Sequence, residues 1–100
     1  MITSKQRAWL RKSGHALEPV FIIGKDGVTE QSLRALEDVL EKRELIKVKI
    51  LETALLDTKE TCNSVAAALD AEPVQAIGSR FILYRQARKE KNRKLELPKK

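Results

Sequence analysis

The sequence predicts a single α/β domain, ordered helix–strand–helix–strand–helix–strand–strand, around a four-stranded mixed sheet. Three observations predict it. Short apolar runs at Val20–Ile23, Leu45–Leu51, Val74–Ile77 and Arg80–Arg85 have the length and composition of strands. Three longer stretches outside those runs have helical spacing and a capping residue at their start. Gly78-Ser79 joins the last two runs as a tight hairpin turn. Strands alternating with helices call for two crossover units, and the hairpin closes the sheet with an antiparallel pair. One hundred residues, 42% hydrophobic and 34% charged, suffice to close one such core without staples.

The elements follow in order. Thr3 with Gln6 makes a capping box, and Gly14 stands where a helix stops in a left-handed residue, so the first helix is expected from Ser4 to Ser13. Ala8, Trp9 and Leu10 dock it, while Lys5, Arg7, Arg11 and Lys12 leave it a basic surface. Trp9 reads as partly buried packing before it reads as a stacking platform, and His15 as a turn residue, since no nucleophile lies beside it. Pro19 can begin a strand, so the first strand is Val20–Ile23; apolar on both faces, it is expected to be central or covered on both sides. It leads into Gly24-Lys25-Asp26-Gly27. Thr29 caps a second helix in which Leu33, Leu36, Val39 and Leu40 recur through to about Lys42. Its polar side carries Glu30, Glu37, Asp38 and Glu41, a poor surface for a polyanion.

Leu45–Leu51 alternates strictly, with Ile46, Val48 and Ile50 on one face and Lys47 and Lys49 on the other. Asp57 with Glu60 opens a third helix whose buried stripe is Cys62, Val65, Ala66 and Leu69, which makes Cys62 a core residue rather than a reactive one. Pro73 is expected to end that helix. The hairpin follows, with Tyr84 as sheet packing. From Gln86 onward the chain is too polar to make a core, so the domain is expected over 1–85 and a basic tail over 86–100. Leu95 and Leu97, ahead of Pro98, are the residues that could tack the tail back.

Charge and composition narrow the function. The net charge is +6. Residues 85–100 carry all of that excess, with eight basic residues against Glu90 and Glu96. Residues 1–25 form a second positive zone, Lys5, Arg7, Arg11, Lys12 and Lys25 against Glu18 alone. Such asymmetry points to a polyanionic partner, most simply a nucleic acid. One cysteine and one histidine supply neither a disulfide framework nor a conventional zinc site, and no metal or cofactor is expected. No apolar run approaches a membrane span or a leader segment, so a cytoplasmic setting is expected. No Ser/His/Asp set, Cys/His pair, carboxylate dyad or Walker-type loop is present, so an enzyme is not expected.

The glycine loop carries the sharpest chemistry. A Gly-x-x-Gly turn between a strand and a helix gathers free backbone N–H groups, a helix dipole and Lys25 at one exposed point, where a phosphate can be held. Asp26-Gly27 is also an ordinary turn dipeptide, so the loop alone is a weak signal. Further stretches strengthen it: Leu17-Glu18-Pro19-Val20, Gly24 to Thr29, Glu44 to Lys49, Gln75-Ala76-Ile77-Gly78 and Leu83-Tyr84-Arg85. Together they resemble the CRM domain, the chloroplast RNA splicing and ribosome maturation module, in its stand-alone bacterial YhbY-like form. The resemblance covers essentially the whole chain. It implies a fold similar to the C-terminal domain of a bacterial translation initiation factor, and RNA binding through the GxxG loop and nearby basic residues. It also implies association with precursors of the large ribosomal subunit. The motif glycines correspond to Gly24 and Gly27, the loop lysine to Lys25, and the strand lysines to Lys47 and Lys49. Asp26 is a departure, since it puts a negative charge inside a phosphate loop.

The expected mechanism is a KH-like clamp. The two glycines let an RNA backbone approach, and Lys5, Arg7, Arg11, Lys12, Arg85, Arg88 and Lys89 extend a positive track around the loop. With only four aromatic residues, phosphate and shape contacts are expected to dominate over base stacking. A monomer acting in ribosome biogenesis on ribosomal RNA is the expectation. The alternative is a protein-interaction module that docks onto ribosomal or assembly proteins, and a DNA reader fits less well because no helix combines a basic face with base-reading side chains.

Overall fold

A computed structural model describes residues 2–98. Its elements are α1 (Ser4–His15), β1 (Phe21–Ile23), α2 (Glu30–Arg43), β2 (Leu45–Ile50), α3 (Thr58–Leu69), β3 (Glu72–Ile77) and β4 (Arg80–Tyr84), with single 3-10 turns at Glu52–Ala54 and Glu90–Asn92. The strands form one mixed sheet in the order β1-β2-β4-β3, with β1 parallel to β2 and the other neighbours antiparallel. The expected α/β order and four-stranded mixed sheet are therefore present.

Both sheet faces are used. On one face α2 and α3 bury Leu36, Leu40, Cys62, Val65, Ala66 and Leu69 against Ile23, Ile46, Val48, Ile50, Phe81 and Leu83. Each large side chain taken fully out of water there contributes about 1.5–3 kcal/mol, which makes this the dominant core. On the other face α1 brings Leu10 onto Leu45, Val74, Ile82 and Tyr84, with Trp9 half-buried at the margin. The alternation of β2 thus divides two cores rather than a core and solvent. Burial pushes the Cys62 thiol up to about 11, so it stays protonated and unreactive at neutral pH.

Three expectations about the elements are corrected. Gly14 does not end α1: the helix runs to His15 and its cap, Ala16, is right-handed. A Cβ on Gly14 would lie 2.9 Å from both Cδ1 and Cγ2 of Ile82, so glycine is needed there to let the helix lie close on the sheet. β1 is an edge strand, not a central one, and Ile22 on it is 56% exposed. Pro73 does not terminate α3, which ends at Leu69 with Asp70 in the left-handed region. It lies inside β3, tolerated because β3 is the other edge and its register shifts between Pro73 and Gln75.

The N-terminal caps of α1 and α2 form as expected, although in α2 the reciprocal partner of Thr29 is Ser32. Asp57 accepts from the Glu60 N–H at the start of α3. Residues 86–98 lie along the molecule: Ala87 is fully buried, and Leu95 and Leu97 pack against the α1-side core. Lys99 and Lys100, counted in the basic tail, lie outside the described residues.

Candidate nucleic-acid interface

The Gly24–Gly27 loop leaves β1 at the end of the sheet where β2 also finishes. The Leu51 N–H continues the ladder to the Ile23 carbonyl at 2.9 Å, and the Gly27 N–H closes the turn on the Gly24 carbonyl at 2.9 Å. Lys25 and Asp26 occupy the two exposed corners. The glycines differ in what they do. Gly27 has φ +69, a region where a side chain is strained, so the fold itself asks for glycine there. Gly24 has no such backbone, and a Cβ on it would meet only Leu51 Cδ1 at an ordinary 3.8 Å. Nothing inside the protein requires Gly24 to lack a side chain.

The strand register shows what lies beside the loop. Ile22 pairs with Lys49, Lys49 with Arg80, and Arg80 with Ile77, so these four side chains form one row across all four strands on the face shared with α1. The helix does not reach this row. It ends at His15, whose carbonyl accepts from Lys47 Nζ at 2.9 Å, in the register position below Lys49. Lys47 therefore neutralises the negative end of α1 and keeps its charge at the border of the open sheet. His15, Lys47, Gln75, Ile77, Arg80 and Ile82 enclose a concavity of about 170 Å³ beyond the helix end. Lys5, Arg11 and Lys12 are exposed on α1 itself.

The family model described as the CRS1 / YhbY (CRM) domain matches residues 2–85. The chain belongs to this family. Its relatives include the "Probable RNA-binding protein YqeI" of Bacillus subtilis (strain 168), 35% identical over 98 residues, covering 98% of this chain and 100% of that protein. The "RNA-binding protein" of Haemophilus influenzae is 33% identical over 99 residues and 97% covered. Among solved structures, the solution structure of a hypothetical protein from Staphylococcus aureus superposes with a TM-score of 0.79 at 41% identity, over 98% of this chain and all of that one.

Not every basic residue of this CRM domain is free to meet a ligand. Arg7 donates to the Pro73 carbonyl and lies 3.7 Å from Glu72, which ties α1 to β3. Arg85 is buried. It pairs with Glu37, approaches Glu41 at 3.6 Å and donates to the Leu69 carbonyl at 3.1 Å, so it braces α2 against α3. Arg88 lies 3.4 Å from Glu37, and the backbone N–H groups of Arg88 and Lys89 both bond Glu41. These three C-terminal residues gather at the acidic side of α2, away from the sheet face that holds Lys47 and Lys49. Of the cations expected to form a positive track around the loop, Lys25, Lys47, Lys49 and the α1 residues Lys5, Arg11 and Lys12 have no carboxylate within ion-pair distance among the described residues. Arg80, which the sequence marks only as a strand start, shares this property; the β2–β4 register, which pairs it with Lys49, is what places it beside them, and no sequence pattern specifies that register.

Two carboxylates organise the C-terminal segment. Glu44, wholly buried with φ 66 at the end of α2, accepts from the N–H groups of Lys94 (2.5 Å), Leu95 (2.9 Å) and Ala87 (2.7 Å). Burial pushes its carboxyl up, but these N–H groups and the charge of Arg93 outweigh that and hold it below its ordinary value. Glu41 is lowered to about 2 by the Asn92 side chain and the Arg88 and Lys89 N–H groups, assisted by Arg85. Among the described residues no cluster of His, Cys, Asp and Glu could hold a metal, and no helix is long and apolar enough to cross a membrane.

Proposed function

We propose that this chain binds RNA, with the Gly24–Gly27 loop against the phosphate backbone and Lys25, Lys47, Lys49, Arg80 and the exposed side of α1 continuing the contact. The observation that carries this reading is Gly24. The fold places no demand on it, and it lies between a strand end and the start of α2 beside a basic sheet row, where a bare backbone serves an outside partner. The names of the relatives support the same chemistry. The proposed target is ribosomal RNA in precursors of the large subunit, engaged in the cytoplasm, a step supported by the family resemblance. Structured RNA suits a surface rich in cations and poor in aromatics.

The test is Gly24→Ala. Because the position is neither crowded nor left-handed, the variant should fold with unchanged or slightly raised thermal stability, yet bind a structured ribosomal RNA fragment at least several-fold more weakly at constant salt. Unchanged affinity in that folded variant would overturn the loop contact. For the target, crosslinking and sequencing of bound RNA from cells should return large-subunit precursor sequences, co-sedimenting with immature particles.

A further inference from the structure

The concavity beyond the end of α1 is unlike the rest of the basic surface. Its floor is apolar, formed by buried Ile82 and by Ile77, which is 59% exposed; its rim is polar, with Gln75, His15, Lys47 and Arg80. The register shift in β3 lies beside it, with Val74 packed into the α1-side core and Gln75 paired with Ile82. At about 170 Å³ it is too small for a drug-sized ligand, whose pockets run to roughly 300–1,000 Å³. It suits one planar ring system. No carboxylate lines it, and among the described residues none lies within ion-pair distance of Arg80.

We propose that this concavity is a subsite for one unpaired nucleobase of the bound RNA. The Arg80 guanidinium, on its stem beside Ile77, supplies a flat cationic surface for a ring to stack on. The Gln75 amide offers a donor and an acceptor side by side, the pattern that reads a base edge presenting the complementary pair. Lys49 lies between the concavity and the loop. The row from Ile77 on β3 to Ile22 on β1 crosses three strand spacings, roughly 14 Å, so a strand of RNA whose backbone passes Gly24 can place a neighbouring base here with Lys49 over the phosphate between. A duplex cannot, because its bases are paired and stacked inward. The inference rests on the RNA-binding reading and goes beyond it by adding a base-reading element to a surface that otherwise senses charge and shape.

Two RNAs of equal length and charge decide it, a hairpin with one unpaired adenosine and its fully paired counterpart, measured against wild type, Arg80→Lys, Gln75→Ala and Gly24→Ala. Wild type should prefer the hairpin with the unpaired base by about tenfold. Gln75→Ala leaves the charge of the surface untouched, so it should abolish that preference with affinity for the paired RNA unchanged; Arg80→Lys keeps the charge but removes the flat stacking surface, so it should abolish the preference as well. Replacing the unpaired adenosine by an abasic nucleotide should remove the preference in wild type and have no effect in Gln75→Ala. Equal binding of both RNAs by wild type, or equal losses on both in the variants, would overturn the subsite while the loop contact stands. If wild type bound neither RNA and Gly24→Ala made no difference, the RNA-binding reading itself would fall and the subsite with it.

Discussion

Gly14 and Gly24 show how differently the same residue can be used. Gly14 is inside a helix, where glycine costs about 1 kcal/mol against alanine, and it is retained because Ile82 lies where its Cβ would go, at 2.9 Å. Gly14→Ala should therefore destabilise the protein despite its better helix propensity. The overpacking cost of about 1–3 kcal/mol exceeds the propensity gain, for a net loss of about 1 kcal/mol in urea unfolding. In an Ile82→Ala background the clash is gone, so the same substitution should become neutral or stabilising, and the cycle isolates the contact. Sequence alone could not separate these roles. A glycine at a helix end signals a left-handed cap or a close approach equally well, and only the partner, Ile82, tells which. Gly27 is the simpler case, since its positive φ agrees with the turn that Asp26-Gly27 suggests.

Among the elements, those whose two faces differ chemically were legible. β2 alternates because Ile46, Val48 and Ile50 meet α2 and α3 while Lys47 and Lys49 face the α1 side. The helices were legible for the same reason, from Leu33 to Leu40 and from Cys62 to Leu69. β1 was misplaced because its apolar residues were read as burial, whereas Ile22 ends the exposed row beside the loop. In the C-terminal segment Leu95 and Leu97 were legible as apolar contacts, but the rest of its attachment runs through backbone N–H groups that leave no side-chain pattern. What the sequence does contain is the acceptor, Glu44, at the end of α2. Glu44→Gln can keep an oxygen toward Lys94 and Leu95 or toward Ala87, but not both, so one buried N–H loses its partner at a cost of about 2 kcal/mol. The pH dependence has a definite sign. Glu41 and Glu44 are both held below the ordinary 4.5, so their contribution is complete above that value and is lost as the pH falls through their lowered values, about 2 for Glu41. Hydrogen exchange at the Ala87, Lys94 and Leu95 amides should accelerate as the pH falls below about 4.5, once corrected for intrinsic rates. In Glu44→Gln the amides on the side that loses its oxygen, either Ala87 or the Lys94 and Leu95 pair, should already be fast at neutral pH.

For the whole molecule, two faces of opposite electrostatic character follow from the topology. Placing α1 alone on one side of the sheet leaves part of that side open, and the open part carries Lys49 and Arg80 with Lys47 at its border. On the other side α2 presents Glu30, Glu37, Asp38 and Glu41, and the C-terminal arginines Arg85 and Arg88 are drawn to Glu37 and Glu41. Net charge read along the sequence assigned the excess to the tail, but part of that excess meets carboxylates in space, whereas the balanced region 1–84 exposes an uncompensated row. RNA affinity should register this difference through its salt dependence, because each phosphate neutralised releases counterions. Lys49→Ala should reduce the slope of log affinity against log salt by roughly 1 and weaken binding to all structured RNAs alike. Arg88→Ala should leave the slope nearly unchanged, since its guanidinium is 3.4 Å from Glu37 and removing it exposes a carboxylate instead of freeing a phosphate site. Equal slope changes in the two variants would mean that the RNA wraps both faces, and that the ion pairs along α2 open when it binds.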